Sequence, residues 1–266
     1  MSLLEVKEVS KDFGGLRAND RVSFRVDKGE VVGLIGPNGA GKTTLFNCIA
    51  GFYSLSEGTI LFDGRDITRL KDFEIARLGL ARTFQVYTAA GDLNVLENIM
   101  IGAFLKTRSR REVLLKSREI MAFMGIEAQG KNLMTELPVA AQKRVTLATT
   151  LAADPKMTLL DEVAAGLNPS EIEEFIGLLK DINRERGITL LLTEHVMELV
   201  MRLSHRVIVL ESGRKIAEGD PLEVVKSEAV IRAYLGESFV TKREEGRGKR
   251  EEERREKGEE RRERGE

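Results

Sequence analysis

Residues 36–44 read Gly36-Pro37-Asn38-Gly39-Ala40-Gly41-Lys42-Thr43-Thr44. They fit the P-loop pattern G-x-x-x-x-G-K-[ST]. The flanks agree with it. An apolar run at 31–35 has the form of a buried strand, and 45–50 has helix-compatible residues. Each residue type has a physical task. The glycines let the backbone curl around phosphates and accept positive φ. Successive N–H groups then form an anion nest at the positive end of a helix. Lys42 adds a point charge able to bridge β- and γ-phosphates. Thr43 offers Mg²⁺ a hard hydroxyl oxygen, and Thr44 a donor to the α-phosphate.

The chain has 266 residues, 42% of them hydrophobic, enough for one large α/β domain or a domain with a subdomain. Net charge is −1, so no global field draws it to nucleic acid. No apolar run approaches a membrane span, and the N-terminus shows no signal-peptide pattern. The expectation is a chain that stays in the cytoplasm. The single cysteine, Cys48, falls in the helix after the P-loop, where a packing role is expected.

Before the P-loop, 3–9 and 21–26 read as strands, the second with Val22, Phe24 and Val26 on one face. The residues at 58–62 read as another, and Asp63-Gly64 is a hairpin signal. Early antiparallel strands do not belong to a plain doubly wound sheet. They predict a small β-subdomain packed on the P-loop core. From 86 to 156 the pattern is helical, with helices expected at 96–104, 113–124 and 143–152. Strands are then expected at 157–160, 189–193 and 207–210, helices at 172–184, 196–203 and 221–236, and a hairpin around Ser212-Gly213. The fold class expected is α/β: a P-loop (RecA-like) core with an N-terminal antiparallel β-subdomain and an inserted helical subdomain. The division expected is 1–85 and 157–236 for the nucleotide-binding core with its β-subdomain, 86–156 for the helical subdomain, and 237–266 for a tail. That tail is almost wholly Lys, Arg, Glu and Gly. Such a composition buries too little apolar surface to offset its ordering entropy, so disorder is expected.

A P-loop needs a metal partner at a nearby strand end. Asp161 closes an apolar strand and fits that task, with Glu162 beside it to polarise the attacking water. Gln85 ends the element before the helical stretch, where its amide can reach a metal or a water. His195 follows the next apolar strand, where an imidazole can bond a γ-phosphate. Phe13 offers a face for adenine, a contact worth roughly 1 kcal/mol, though a lone Phe at such a place is more often core.

Taken together, the P-loop, Gln85, the Asp161-Glu162 pair and His195 resemble an ATP-binding-cassette ATPase, in order and spacing, over residues 3–236. The stretches GPNGAGKTTLFNCIAGFY (36–53), ARTFQ (81–85), NVLENI (94–99) and AAGLNP (164–169) narrow the likeness. They look like the ATPase subunit of high-affinity branched-chain amino-acid importers. The resemblance implies ATP hydrolysis with Mg²⁺ and two nucleotides sandwiched between two cassettes. It also implies two membrane permease subunits docking near Gln85, a solute-binding protein acting indirectly from outside, and a peripheral place on the cytoplasmic membrane face. It assigns Phe13 to adenine and Gly36 to Thr44 to phosphates, with Gly36, Asn38, Gly39, Ala40, Gly41, Lys42, Thr43 and Thr44 as nucleotide contacts. Thr43, Gln85 and Asp161 fall to the metal. Glu162, His195, Gln85 and Lys42 fall to hydrolysis and coupling. Gly166-Leu167-Asn168 matches the loop that crosses the dimer interface.

One motif departs. The family signature LSGGQ falls on Leu137-Pro138-Val139-Ala140-Ala141, and only the leucine survives. Pro138 has neither hydroxyl nor N–H, and Val139 adds a branched side chain where backbone must approach closely. A heterodimer with one sound and one degenerate site follows as an expectation, with a homodimer as its rival. The same fold importing urea, amides or other amino acids, and a non-hydrolysing regulatory cassette, are the competing functions. A cassette acting on nucleic acid is disfavoured, because no basic stripe is present.

Overall fold

The computed structural model describes residues 1–83 and 91–235. Gln85 and the tail expected at 237–266 therefore lie outside the described residues. The first sheet is antiparallel, in the order β2-β1-β4-β5, from β1 (Ser2–Phe13), β2 (Leu16–Asp27), β4 (Glu57–Phe62) and β5 (Arg65–Asp66). The second holds β3 (Val31–Ile35), β6 (Leu80–Arg82), β7 (Met157–Asp161), β8 (Thr189–Thr193), β9 (Arg206–Glu211) and β10 (Arg214–Gly219). Its order is β10-β9-β3-β8-β7-β6, with every pairing parallel except the β9–β10 hairpin. The α/β class with an antiparallel N-terminal sheet is therefore as expected.

β1 and β2 are longer than the sequence pattern indicates. β1 does not end at Val9 but runs to Phe13, and Gly14-Gly15 alone turn the chain into Leu16. The register between the two strands shifts at several points, and Glu8 and Arg21 sit at φ 48° and 49°. Each such irregularity re-aims the following side chains, so the period-2 alternation is lost to sequence inspection. Asp63 and Gly64, at φ 49° and 78°, form the expected tight turn between β4 and β5.

The parallel strands explain their own composition. Both faces are covered, so β3, β7 and β8 are buried throughout. Alternate residues enter different cores. Val32, Leu34, Leu191 and Ile208 join β1, β2 and helix α1 (Lys42–Ile49) in one cluster. Val31, Ile35, Leu190 and Leu192 face the other, with α6 (Pro169–Arg186) and α7 (Met197–Leu203).

α2 (Asp72–Leu78) precedes β6. Between β6 and β7 lie α3 (Val95–Ala103), α4 (Arg110–Phe123) and α5 (Val139–Ala152), each somewhat displaced from its expected bounds. Asn94 caps α3 and Ser109 caps α4 through their side chains. α5 begins immediately after Pro138, four residues earlier than expected from periodicity, because a proline suits a helix start. The helix expected at 221–236 is instead α8 (Pro221–Val224) and α9 (Glu228–Leu235). Lys226 and Ser227 form i→i−3 bonds to Glu223 and Val224, which tighten and end the first. Among the described residues no helix is long and apolar enough to cross a membrane.

Candidate functional site

The site gathers at the C-terminal ends of four adjacent parallel strands, β3, β8, β7 and β6, where ligands of open α/β sheets sit. From β3 the chain enters the loop that ends at Gly41, the N-cap of α1. Gly41 has φ 95°, and a Cβ there would lie 2.5 Å from the Ala18 carbonyl oxygen. At Gly36, with φ 150°, a Cβ would lie 2.1 Å from the Leu210 carbonyl oxygen. Side chains are thus excluded where the loop is tightest. The N-cap has no side chain, and α1 has no acidic residue in its first turn, so its first amides are directed to whatever anion the loop receives.

Lys42 is buried at the start of α1, its Nζ donating to the Gly36 and Pro37 carbonyls at 2.7 and 3.0 Å. Burial lowers its pKa, opposed by the charges of Glu162 and Asp161. A buried ammonium facing two carboxylates is poised for a polyanion with a divalent counter-ion. Thr43 is exposed and Thr44 half-buried on the same turn. The helix places Cys48 among buried residues, as expected, and burial pushes its thiol up to about 11.

Asp161 ends β7 in register with Thr193 at the end of β8. The Thr193 hydroxyl donates to Asp161 Oδ1 at 2.7 Å, and Arg82 Nη2 donates to Oδ2 at 2.7 Å. The Arg82 and Asp161 side chains are only 7% and 1% exposed. Glu162 follows at φ 49°, its N–H donating to the Thr193 carbonyl at 2.9 Å. His195 Nε2 lies 3.1 Å from Glu162 Oε1. The three groups singled out in the sequence at Lys42, Asp161-Glu162 and His195 are therefore one cluster.

Beneath His195 sits a buried carboxylate that sequence reading passed over. Glu194 Oε1 accepts the Ala164 N–H at 2.7 Å, and its Oε2 accepts the His195 N–H at 3.3 Å. Desolvation raises its pKa, while these backbone bonds and Lys143 oppose the rise. Lys143, on α5, reaches the Glu162 carbonyl oxygen at 3.5 Å.

Phe13 is not core. It is 42% exposed at the end of β1, edge-on to Tyr53 with ring centroids 5.3 Å apart. Lys11 Nζ lies 4.8 Å from its centroid. The two rings form an exposed aromatic pair, and the sequence pattern singles out only Phe13 of the two.

At the start of α5, Pro138 is the N-cap and gives no side-chain cap bond. Val139 is exposed and stands close to Gly166 in the loop after β7, where a Cβ would be 3.9 Å from its Cγ1. The helix persists, with Gln142 Nε2 donating to the Leu137 carbonyl at 2.8 Å. The hydroxyl and glycine amides of the usual signature are absent from this turn.

A groove of roughly 360 Å³ opens on another side, between the end of α1, α2 and β6 and the helices α3 and α5. Phe52, Phe73 and Ile101 line it and are exposed, and Arg82 and Thr83 form part of its wall.

A family model described as ABC transporter matches residues 19–165, and one described as Branched-chain amino acid ATP-binding cassette transporter matches residues 214–240. The chain is 38% identical over 251 residues to the high-affinity branched-chain amino acid transport ATP-binding protein LivG of Salmonella typhimurium, covering 89% of this chain and 98% of that protein. A crystal structure of an ATP-binding cassette of an ABC transporter in its ADP conformation superposes with a TM-score of 0.81 at 31% identity, over 89% of this chain and 100% of that one. A dimeric cassette in a post-hydrolysis state, bound to ADP and Pi, superposes with a TM-score of 0.74 at 26% identity, over 82% and 98%.

Proposed function

This chain belongs to the ABC transporter family, and we propose that it is the ATP-hydrolysing subunit of an importer for branched-chain or other hydrophobic amino acids. The observation that carries the chemistry is the convergence of the amide-lined loop, buried Lys42, Asp161, Glu162 and His195 at adjacent strand ends. The solute class rests on the C-terminal match at 214–240 and on the likeness to LivG.

In this reading residues 36–44 hold the phosphates of ATP, and Phe13 packs on its base. Among the described residues no cluster of three or more His, Cys, Asp or Glu side chains converges on a metal site. That suits Mg²⁺, which keeps waters and phosphate oxygens and asks the protein for few ligands. The Thr43 hydroxyl and the Asp161 carboxylate are hard oxygens of that kind, with Gln85 as a third. When bound, the ion screens the β- and γ-phosphate charge. Lys42 neutralises charge on the same oxygens. Glu162 accepts the proton of the attacking water, and the bond to His195 holds its carboxylate in one direction. Glu194 fixes the His195 backbone from below.

The groove beside β6 is read as the docking place of one of the two permease subunits, the other falling to the partner cassette, since its exposed Phe52, Phe73 and Ile101 are apolar anchors. The protein would then sit peripherally on the cytoplasmic membrane face, with the solute-binding protein acting across the membrane. The division into a core with its β-subdomain (1–85 and 157–236), a helical subdomain (86–156) and a charged tail (237–266) belongs to this reading. So does a heterodimer: a partner cassette supplies an intact signature to this chain's nucleotide, while the site completed by Pro138 to Ala141 hydrolyses poorly. Each missing charged hydrogen bond there costs about 1.5–3 kcal/mol.

The test is uptake of labelled leucine by cells that carry this chain together with two permease subunits, a second cassette and a solute-binding protein of a branched-chain amino-acid importer. Lys42→Ala is expected to abolish uptake, and Pro138→Ser with Val139→Gly and Ala140→Gly to change it little. Uptake that survives Lys42→Ala would sink the proposal.

A further inference from the structure

Arg82 belongs to two places at once. The residue lines the groove together with Phe52, Phe73 and Ile101, while its side chain turns inward and is only 7% exposed. The same guanidinium donates to Asp161 Oδ2 at 2.7 Å and, from Nη1, to Asn47 Oδ1 at 2.6 Å. Asn47 lies on α1, the helix that starts at Lys42. The Phe46 and Phe52 rings stand 5.9 and 5.8 Å from its central carbon. The next residue grips the same aspartate by its backbone: the Asp161 N–H donates to Thr83 Oγ1 at 3.2 Å, and the Thr83 N–H donates to the Leu159 carbonyl at 2.9 Å. The end of β6 therefore holds Asp161 by both carboxylate and main chain, and presents its other side to the groove.

We propose that Arg82 is a positioning residue that couples the groove to Asp161, so that an occupant of the groove and a nucleotide in the phosphate loop act on each other through its guanidinium. The inference rests on the function proposed above. A guanidinium is planar and never loses its charge, so its two arms move together. The pair is buried, and leaving either charge unpaired is costly, so the link does not relax by swinging into water. Lysine at this position would keep the charge but lack the fork that reaches Asn47 and Asp161 together.

Coupling free energy is reciprocal, so it can be read from the nucleotide side with the chain alone, provided labelling is slow relative to groove opening so that its rate follows the open population. A reporter thiol is placed in the groove by Ile101→Cys, at a position 53% exposed. The native Cys48 is buried and interferes little. The thiol-labelling rate is measured with a non-hydrolysable ATP analogue, in Mg²⁺ and in EDTA, and affinity for a fluorescent form of the analogue is measured alongside. Mg²⁺ is expected to change the labelling rate about fivefold or more, the lower end of ordinary coupling. Adding Asn47→Ala, which cuts only the α1 arm, is expected to abolish that change while analogue affinity stays within about threefold of the parent, and Arg82→Lys is expected to abolish the change as well. A Mg²⁺-dependent change that survives both substitutions, or is absent from the parent, overturns the coupling. So does a loss of affinity in Asn47→Ala that parallels the loss of the change, because Arg82 would then be holding the site together and no more. A parent chain that fails to bind the analogue at all overturns the proposed function itself, and this inference with it.

Discussion

Replacing Gly41 by alanine tests the phosphate loop without touching a charged group. The residue sits at φ 95°, and the new methyl would lie 2.5 Å from the Ala18 carbonyl oxygen and 2.6 Å from Asn19 Nδ2. Neither neighbour yields easily. Ala18 O is main chain, and Asn19 is fully buried and donates to the Gly41 carbonyl at 3.2 Å. An L-residue in left-handed backbone costs about 1–2 kcal/mol, and overpacking about 1–3 more, giving about 2–5 kcal/mol. Gly39→Ala is the internal control. Gly39 is also left-handed, at φ 79°, but nothing lies within 4 Å of its Cβ position. It should lose only the conformational part, about 1–2 kcal/mol. A gap near 2 kcal/mol corresponds to roughly 4–8 °C in Tm for a domain of this size. Thermal unfolding of the nucleotide-free protein measures it. Equal losses from the two substitutions, or a larger loss at Gly39, would refute the reasoning, because the close approach at Ala18 and Asn19 would then carry no energy.

Two further predictions concern titrating groups. Burial holds the Cys48 thiol near 11, so at pH 8 its thiolate population is about a hundredfold below that of an unperturbed thiol. Alkylation in the native state should be slower by at least that factor and recover in denaturant, and rapid native labelling would contradict the packing around α1. Asp63 is held down to about 2 by hydrogen bonds from Lys156 and Lys28. A depressed acid contributes stability above its unfolded value of 3.8 and loses it as pH falls toward 2. Asp63→Asn should therefore fall less steeply than the parent in acid titrations between those values, and the difference should shrink in high salt because all three side chains are exposed to solvent. Identical acid slopes would remove this contribution.

The parts of the molecule legible in sequence are those in which neighbouring residues carry the signal. The P-loop, its buried strand and helix, and the apolar runs ending in Asp161 and Thr193 are of this kind. Both faces of the central strands are covered, so no alternation had to be resolved. β1 and β2 were shortened by reading because the irregularities around Glu8 and Arg21 interrupt the period on which strand recognition depends. The partners of the site were hidden for another reason. Arg82 meets Asp161 across 79 positions, and the Glu162–His195 contact spans 33. Sheet order creates these contacts, and nothing local to Arg82 distinguishes it from a surface arginine. Glu194 carries no motif either, and its burial alone makes it notable. Phe13 is singled out by the sequence as an aromatic, but its exposure depends on its place at the end of β1 beside the two-glycine turn, which composition does not reveal.

The most direct test is ATP turnover in the assembled transporter with Glu162→Gln, beside direct measurement of Mg-nucleotide binding. Removing a positioned general base should lower hydrolysis by about 10²–10⁴-fold while nucleotide affinity is kept, because the phosphate loop and Asp161 are intact. Turnover that persists near the parent rate would contradict the assignment of the water-activating group, and with it the chemistry read from this cluster of strand ends.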